Sequence, residues 1–192
     1  MHGTSSVCWR SVSPTALPVS SRRASIALSS TLTVRGTSTL HDWYLTARRM
    51  TGHATLSNPS TPDAVLTEVE LHIAVDDLEA SGGLPMRSKL RDVLKSKHFP
   101  TVAVIMEATT PLVAADGGLQ ASGEAILHIA GRTAPAVLMA RLVPGSDGTV
   151  RLTGEQTLSL RALGLKAPTA FFGQLKTGDA ITVVFSIDLA PT

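Results

Sequence analysis

Ile181-Thr-Val-Val-Phe-Ser-Ile-Asp-Leu189 decides the fold. Its odd positions, Ile181, Val183, Phe185, Ile187 and Leu189, are all apolar, while Thr182, Ser186 and Asp188 fall between them. Side chains on an extended chain alternate between faces, so this period of two describes a strand with one buried and one wet side. Strands of that kind build antiparallel sheets, whose apolar face must be covered. The same alternation runs through 67–75, where Val69, Leu71, Ile73 and Val75 oppose Glu68, Glu70 and His72.

Working outward, further strands are expected at 31–40, 43–55, 101–107, 120–129, 136–142 and 149–160. Turn chemistry separates them at Asn58-Pro59, Asp116-Gly117-Gly118, Pro144-Gly145-Ser146-Asp147-Gly148 and Thr177-Gly178-Asp179. About eight strands joined by short turns must close or stack, and a closed barrel is the simplest solution. One segment departs from the pattern. In 85–98, Met86, Leu90, Val93 and Leu94 recur at helical spacing, with Arg87, Arg91 and Lys95 four apart on another face. This segment begins behind Gly82-Gly83 and stops before Phe99-Pro100, where proline disfavours continuation. The expected fold is therefore all-β, an antiparallel eight-stranded barrel with one inserted amphipathic helix.

Composition narrows the function. The chain has 192 residues, 43% hydrophobic and only 4% aromatic, enough for one domain with a sizeable core. Its pI is 9.0. Of 17 Lys and Arg, four (Arg10, Arg22, Arg23, Arg35) precede the first acid, Asp42, so 13 cations meet 15 anions in the remainder. A mildly acidic body with Trp43 and Tyr44 as its only Trp or Tyr offers neither the field nor the stacking platform of a nucleic-acid binder. A single cysteine, Cys8, excludes an internal disulfide and a Cys-rich zinc site. Uninterrupted apolar stretches such as Val102 to Met106 fall far short of the roughly 20 residues that span a bilayer as a helix, so no integral membrane span of that kind is expected. Residues 1–30 hold nine serines, Pro14, Pro18 and Arg22-Arg23 with no apolar period. We assign 1–29 to a disordered or targeting tail and 30–192 to the barrel domain.

Other motifs read as structural. His41-Asp42 has the residue types of a catalytic pair, but neighbours on an extended chain point to opposite faces. No serine sits in a Gly-x-Ser-x-Gly setting, and the one cysteine lies in the tail. His2, His41, His53, His72, His98 and His128 contain no close pair of the zinc-binding kind, so no metal and no cofactor is expected. Gly117-Gly118 and Gly145-Ser-Asp-Gly148 do not lead from a strand into a helix and read as hairpin turns, not phosphate loops. The helix face carrying Arg87, Lys89, Arg91, Lys95 and Lys97 is either solvated or a contact for an anionic group.

Read in order, the body resembles the bacterial YceI-like family, polyisoprenoid-binding proteins with a lipocalin-like barrel. The carrying segments are Val34-Arg-Gly-Thr-Ser-Thr-Leu-His-Asp-Trp43, then Met86-Arg-Ser-Lys-Leu90 with Lys97-His-Phe-Pro-Thr-Val102. Leu127-His-Ile-Ala-Gly-Arg-Thr-Ala-Pro135 and Leu163-Gly-Leu-Lys-Ala-Pro-Thr-Ala-Phe-Phe-Gly-Gln-Leu-Lys-Thr-Gly-Asp179 follow. The resemblance covers residues 30–190. It implies a barrel whose apolar interior holds an isoprenoid chain, a periplasmic or secreted setting, and in several members a homodimer. The family's usual export signal is not visible, and Ala136 stands after the Gly-x-Thr-x-Pro piece in place of the family's usual small residue plus valine.

Strand parity assigns Val69, Leu71, Ile73, Val102, Val104, Met106, Leu127, Ile129, Leu138, Val183, Phe185 and Ile187 to the interior. An eight-stranded barrel is just wide enough either to be filled by its own side chains or to hold one slim ligand. The expected function is non-enzymatic carriage or sequestration of a polyisoprenoid or similar apolar chain, its headgroup near the mouth and met by Arg87 or Arg91. The rival readings are a packed barrel acting as an interaction or stress-response module, and an enzyme with His41 or His53 in a polar cluster.

Overall fold

The alternating segments form one continuous meander. The computed structural model describes residues 21–39, 41–58, 64–81, 83–107, 109–115, 117–167, 169–170 and 175–192. Its strands are β1 (Ser21–Ile26), β2 (Thr31–Ser38), β3 (Trp43–Ala47), β4 (Thr51–Ser57), β5 (Val65–Ala74), β6 (Leu78–Ala80), β7 (Thr101–Met106), β8 (Thr110–Ala115), β9 (Gly118–Ile129), β10 (Arg132–Pro144), β11 (Val150–Ser159), β12 (Thr169–Ala170) and β13 (Leu175–Pro191). Helix α1 (Gly83–Leu94) is inserted between β6 and β7.

Several short strands lie end to end along one line, so they make eight staves. β1 and β2 both run along β13, through Ile26↔Leu189 and then Thr31↔Ser186 to Ser38↔Thr177. β4 and β3 form the second stave, pairing β1 and β2 respectively, and β5 with β6 forms the third. β7 and β8 share the fourth stave between β5 and β9. β9, β10, β11 and β13 complete the order, and the pairing of β13 with β1 closes an antiparallel eight-stranded, lipocalin-like barrel. Closure pairs the first stave with the last, so neither end of the meander is left as a free edge.

The breaks within staves are where the sequence reading needs correction. Residues 21–26 belong by composition to the tail, yet they form β1, paired on one side with 53–57 and on the other with 189–191. Main-chain pairing on both edges, not an apolar period, orders this segment, so the barrel domain already includes Ser21; residues 1–20 lie outside the described residues. The expected strand 43–55 is two strands, with Met50 buried at the break. Thr177-Gly178-Asp179, expected as a turn, is an irregularity inside β13, where the register to β2 shifts. Asp179 stays in place because its carboxylate accepts from Ser159 Oγ at 2.6 Å and from the Arg161 amide at 2.9 Å.

The helix ends at Leu94 and not at His98. The Ser96 amide donates to the Arg91 carbonyl at 2.9 Å and the Lys95 amide to that of Asp92 at 3.2 Å, with Lys95 at φ 52°. That is a Schellman termination, in which the left-handed position normally favours glycine. The apolar face of α1 buries Leu90 and Leu94 at one end of the barrel, beside Trp43, Leu78, Leu160 and Leu163. Leu56, Leu66, Leu142, Leu152 and Leu189 pack the opposite end.

Asp188 ties the closing stave together. Its carboxylate accepts from Arg151 Nε at 2.7 Å and Ser29 Oγ at 2.7 Å, while its amide donates to the buried Ser30 hydroxyl at 3.0 Å. These bonds span β11, β13 and the break between β1 and β2. The guanidinium of Arg151, then the Ser29 hydroxyl, hold the Asp188 carboxyl below the usual carboxylate range. A depressed folded pKa gives stability that is complete above the unfolded value near 4 and is lost as pH falls through the folded pKa. Asp188→Asn is expected to cost about 1–2 kcal/mol at pH 7, with the gap to wild type closing below about pH 4. Urea titrations at the two pH values check this, and a pH-independent gap would refute it. Lys95→Gly is expected to raise stability by about 0.5–1 kcal/mol by relieving the left-handed backbone, measured by thermal unfolding.

Candidate functional site

Inside the barrel the apolar side chains do not fill the space. A cavity of about 260 Å³ lies within it. For scale, roughly 150 Å³ of apolar cavity is enough to hold benzene. The twelve residues assigned to the interior by strand parity all line it: Val69, Leu71, Ile73, Val102, Val104, Met106, Leu127, Ile129, Leu138, Val183, Phe185 and Ile187. Trp43 and the helix residues Met86, Leu90 and Val93 contribute at the α1 end.

The hollow has an identifiable cause. Small residues occupy several inward positions, among them Ala121, Gly123, Ala140 and Gly154, and large aromatics are few. Where glycine faces in, a neighbour leans over it. A Cβ at Gly154 would collide with Phe185 Cζ, and one at Gly36 with Trp43 Cζ2. Trp43 and Phe185 therefore lie flat against the wall. Phe99 packs outside, over Gly131, and is 41% exposed. Phe171 and Phe172 fall outside the described residues.

One wall is incompletely sewn. The β10–β11 ladder runs only from Arg141↔Thr153 to Pro144↔Val150, whereas β9 and β10 pair along Leu119–Ile129. Pro135 accounts for one of the missing bonds. Ala130-Gly131 is a two-residue turn with both φ values positive, 52° and 74°, so its flanking pair, Ile129 and Arg132, is hydrogen-bonded. Alternation then points the main-chain groups of odd-numbered β10 residues at β11. Proline at 135 removes a donor on that side. Among the described residues no ladder pair joins 132–140 to 154–159, which leaves a seam beside Leu138 and Gln156.

Polar groups at the cavity are sparse. Gln156 lines it, and its Oε1 is buried with no hydrogen-bond partner, while Nε2 donates to the Thr157 carbonyl at 3.4 Å. Lys89, on the exposed side of α1, also borders the cavity. The two arginines expected near a headgroup do not line it. Arg91 forms an ion pair with Asp76 at 2.7 Å, and Arg87 donates to the Asp76 carbonyl, so both pin α1 to the turn at 75–77.

The remaining candidates are placed elsewhere. The His41 ring contacts the main-chain carbonyl of Asp42 at 3.0 Å, not its carboxylate. His53 borders the cavity, but its ring lies on the outer face of β4, 2.9 Å from Arg23 and 3.4 Å from Glu68, and His72 contacts Glu70 at 2.7 Å. The His72 hydrogen bond lowers the Glu70 pKa below its ordinary value. This is an interstrand charge network on the surface. Among the described residues no group of three or more His, Cys, Asp or Glu is arranged to hold a metal, and no helix is long and apolar enough to cross a membrane. Sequence reasoning missed Gln156 and named Lys89 only as part of the basic helix face. The signal for Gln156 was available, since it shares parity with Leu152 and Leu158.

Comparison with solved structures agrees with this architecture. BcnA of Burkholderia cenocepacia superposes with a TM-score of 0.62 at 12% identity, covering 85% of this chain and 98% of that one. A polyisoprenoid binding domain from Saccharophagus degradans, implicated in plant cell wall breakdown, gives 0.62 at 13% identity over 89% and 99%. The YceI protein of Campylobacter jejuni gives 0.59 at 15% identity over 77% and 84%. No protein-family model and no curated protein matches the sequence. At these identities the likeness establishes a shared fold, the YceI-like barrel.

Proposed function

From a YceI-like barrel with a hollow apolar interior, we propose that this protein binds and carries, or sequesters, a polyisoprenoid or a similar apolar chain, without a covalent step. The observation that carries the reading is the cavity itself, whose wall is almost entirely aliphatic. Each methylene moved from water into such a wall contributes roughly 0.8 kcal/mol, so a chain of a few isoprene units binds tightly without any strong polar contact. The structural likeness to a polyisoprenoid binding domain supports the same chemistry. A periplasmic or secreted setting, in bacteria, belongs to this proposal through the family resemblance.

A packed barrel working through its outer surface is the other reading of the sequence, and the cavity disfavours it. The outer surface has a partner role within the proposal. Ile126, Val137 and Met139 are 42%, 55% and 48% exposed on the outer face of β9 and β10, an apolar patch suited to a homodimer contact.

Native mass spectrometry with lipid extraction, on protein from its own host, is expected to release a bound apolar molecule. Val104→Phe is expected to abolish uptake of a prenyl quinone by filling the cavity while the barrel stays folded. Unchanged uptake in that variant, or an empty wild-type protein that ignores prenyl quinones, would overturn the reading. Val137→Glu is expected to shift sedimentation towards monomer, and a wild type that is monomeric at high concentration removes the dimer.

A further inference from the structure

We infer that the α1 end of the barrel docks on a lipid bilayer bearing anionic headgroups, with the cavity behind α1 turned towards it. This rests on the apolar-chain reading above and adds the surface from which the chain is collected. Three segments meet at that end: α1 with 95–100, the β9–β10 turn, and 160–167. Phe99 lies over Gly131, Arg132 lies against Gly164, and Leu90, Leu94, Ala130, Leu163 and Leu165 share one apolar cluster. These segments carry Lys89, Lys95, Lys97, Arg132 and Lys166, all exposed and none in an ion pair among the described residues. Arg87 and Arg91 are committed to Asp76, and Arg161 lies beside Asp179. Asp92 is the single acid within the three segments, so the five remaining cations outweigh it.

The charge is one-sided. All five lysines of the chain fall in 89–97 or 166–176, and no acid occurs in 93–106 or 156–178. The turns at the other end, 115–118 and 144–149, carry Asp116 and Asp147 and no lysine. A chain of net charge +2 with its lysines gathered at one end is oriented by the field of an anionic surface. Phe99 adds an apolar contact. It is 41% exposed and follows Lys97-His98, an aromatic ring set among cations like those that anchor segments at a bilayer interface. The cavity reaches the same end, where Met86, Lys89, Leu90 and Val93 border it. Lys89 is also exposed, so its apolar stem stands between the interior and water while its ammonium group faces out. Water disfavours a long apolar chain, so passage between bilayer and barrel is direct when this end rests on the membrane.

Flotation of the full chain with phosphatidylcholine vesicles, made with and without phosphatidylglycerol, tests the docking. Wild type is expected to float with the anionic vesicles alone and to be released by salt, which screens such contacts. Lys95→Gln combined with Lys97→Gln is expected to bind about 25-fold more weakly, roughly fivefold per cation. Arg141→Gln, beside Gly117 at the other end, is expected to bind as wild type does. Lys97→Gln with Lys166→Gln serves as a second pair should the first fail to fold. Uptake of a prenyl quinone is measured in parallel from anionic vesicles and from detergent solution. The lysine pairs are expected to slow uptake from vesicles and to leave uptake from detergent unchanged. Equal binding of wild type to neutral and anionic vesicles, or full binding by both lysine pairs, overturns the docking. So does binding to polyglutamate in place of vesicles, which marks the face as a site for an acidic protein. Uptake from detergent by a protein that ignores vesicles overturns the docking and leaves the apolar-chain reading intact. Uptake from neither source overturns both.

Discussion

The structure depends on the return of the last stave to the first. An antiparallel sheet of amphipathic strands has an apolar face to hide and two edges of unpaired amides to satisfy, and closure meets both demands at once. Here closure is made by β13 lying against β1 and β2 in turn, across a break where the Ala27 amide donates to the Asp188 carbonyl at 2.7 Å. Asp188 bridges it, joining Ser29 and Ser30 before β2 to Arg151 on β11. The irregular point of the barrel is thus held by bonds from Asp188 to Ser29 and Ser30, 159 and 158 positions away, and by its ion pair with Arg151, 37 positions away.

Closure fixes the radius, and side-chain volume then decides whether the interior is solid. Alanine and glycine at inward positions leave it hollow, and the two large aromatics of the wall lie over glycines, where they take up little of the lumen. Helix α1 covers one end and is itself anchored by two arginines on Asp76. The cations that look free in the sequence are therefore partly structural. The seam between β10 and β11 has the opposite character. Pro135 withholds a donor on one edge, and no ladder pair is formed where Gln156 borders the cavity.

Much of this was legible beforehand, for a physical reason. Alternation with period two is imposed by backbone geometry, so Val69 to Ile73 or Val183 to Ile187 could be placed on the inner face without knowing any partner strand. The helix was legible from its period, though not its end, because Lys95 adopts a conformation that its type does not advertise. β1 was not legible, since Arg22 and Arg23 point to solvent and only the partners on either side make a strand of the segment. Nor was the commitment of Arg87 and Arg91 to Asp76, which brings residues eleven and fifteen positions apart together around a turn.

The sequence by itself determined the class of structure, the face of each strand and the greasy character of the interior, all of which follow from local periodicity and composition. Tertiary structure alone decided that the barrel closes through β1, that it encloses about 260 Å³, and that a glutamine oxygen is left unpaired in its wall. The physical reason is that volume and hydrogen-bond satisfaction are sums over neighbours. A residue's own identity sets what it can offer, and only packing sets what is left over.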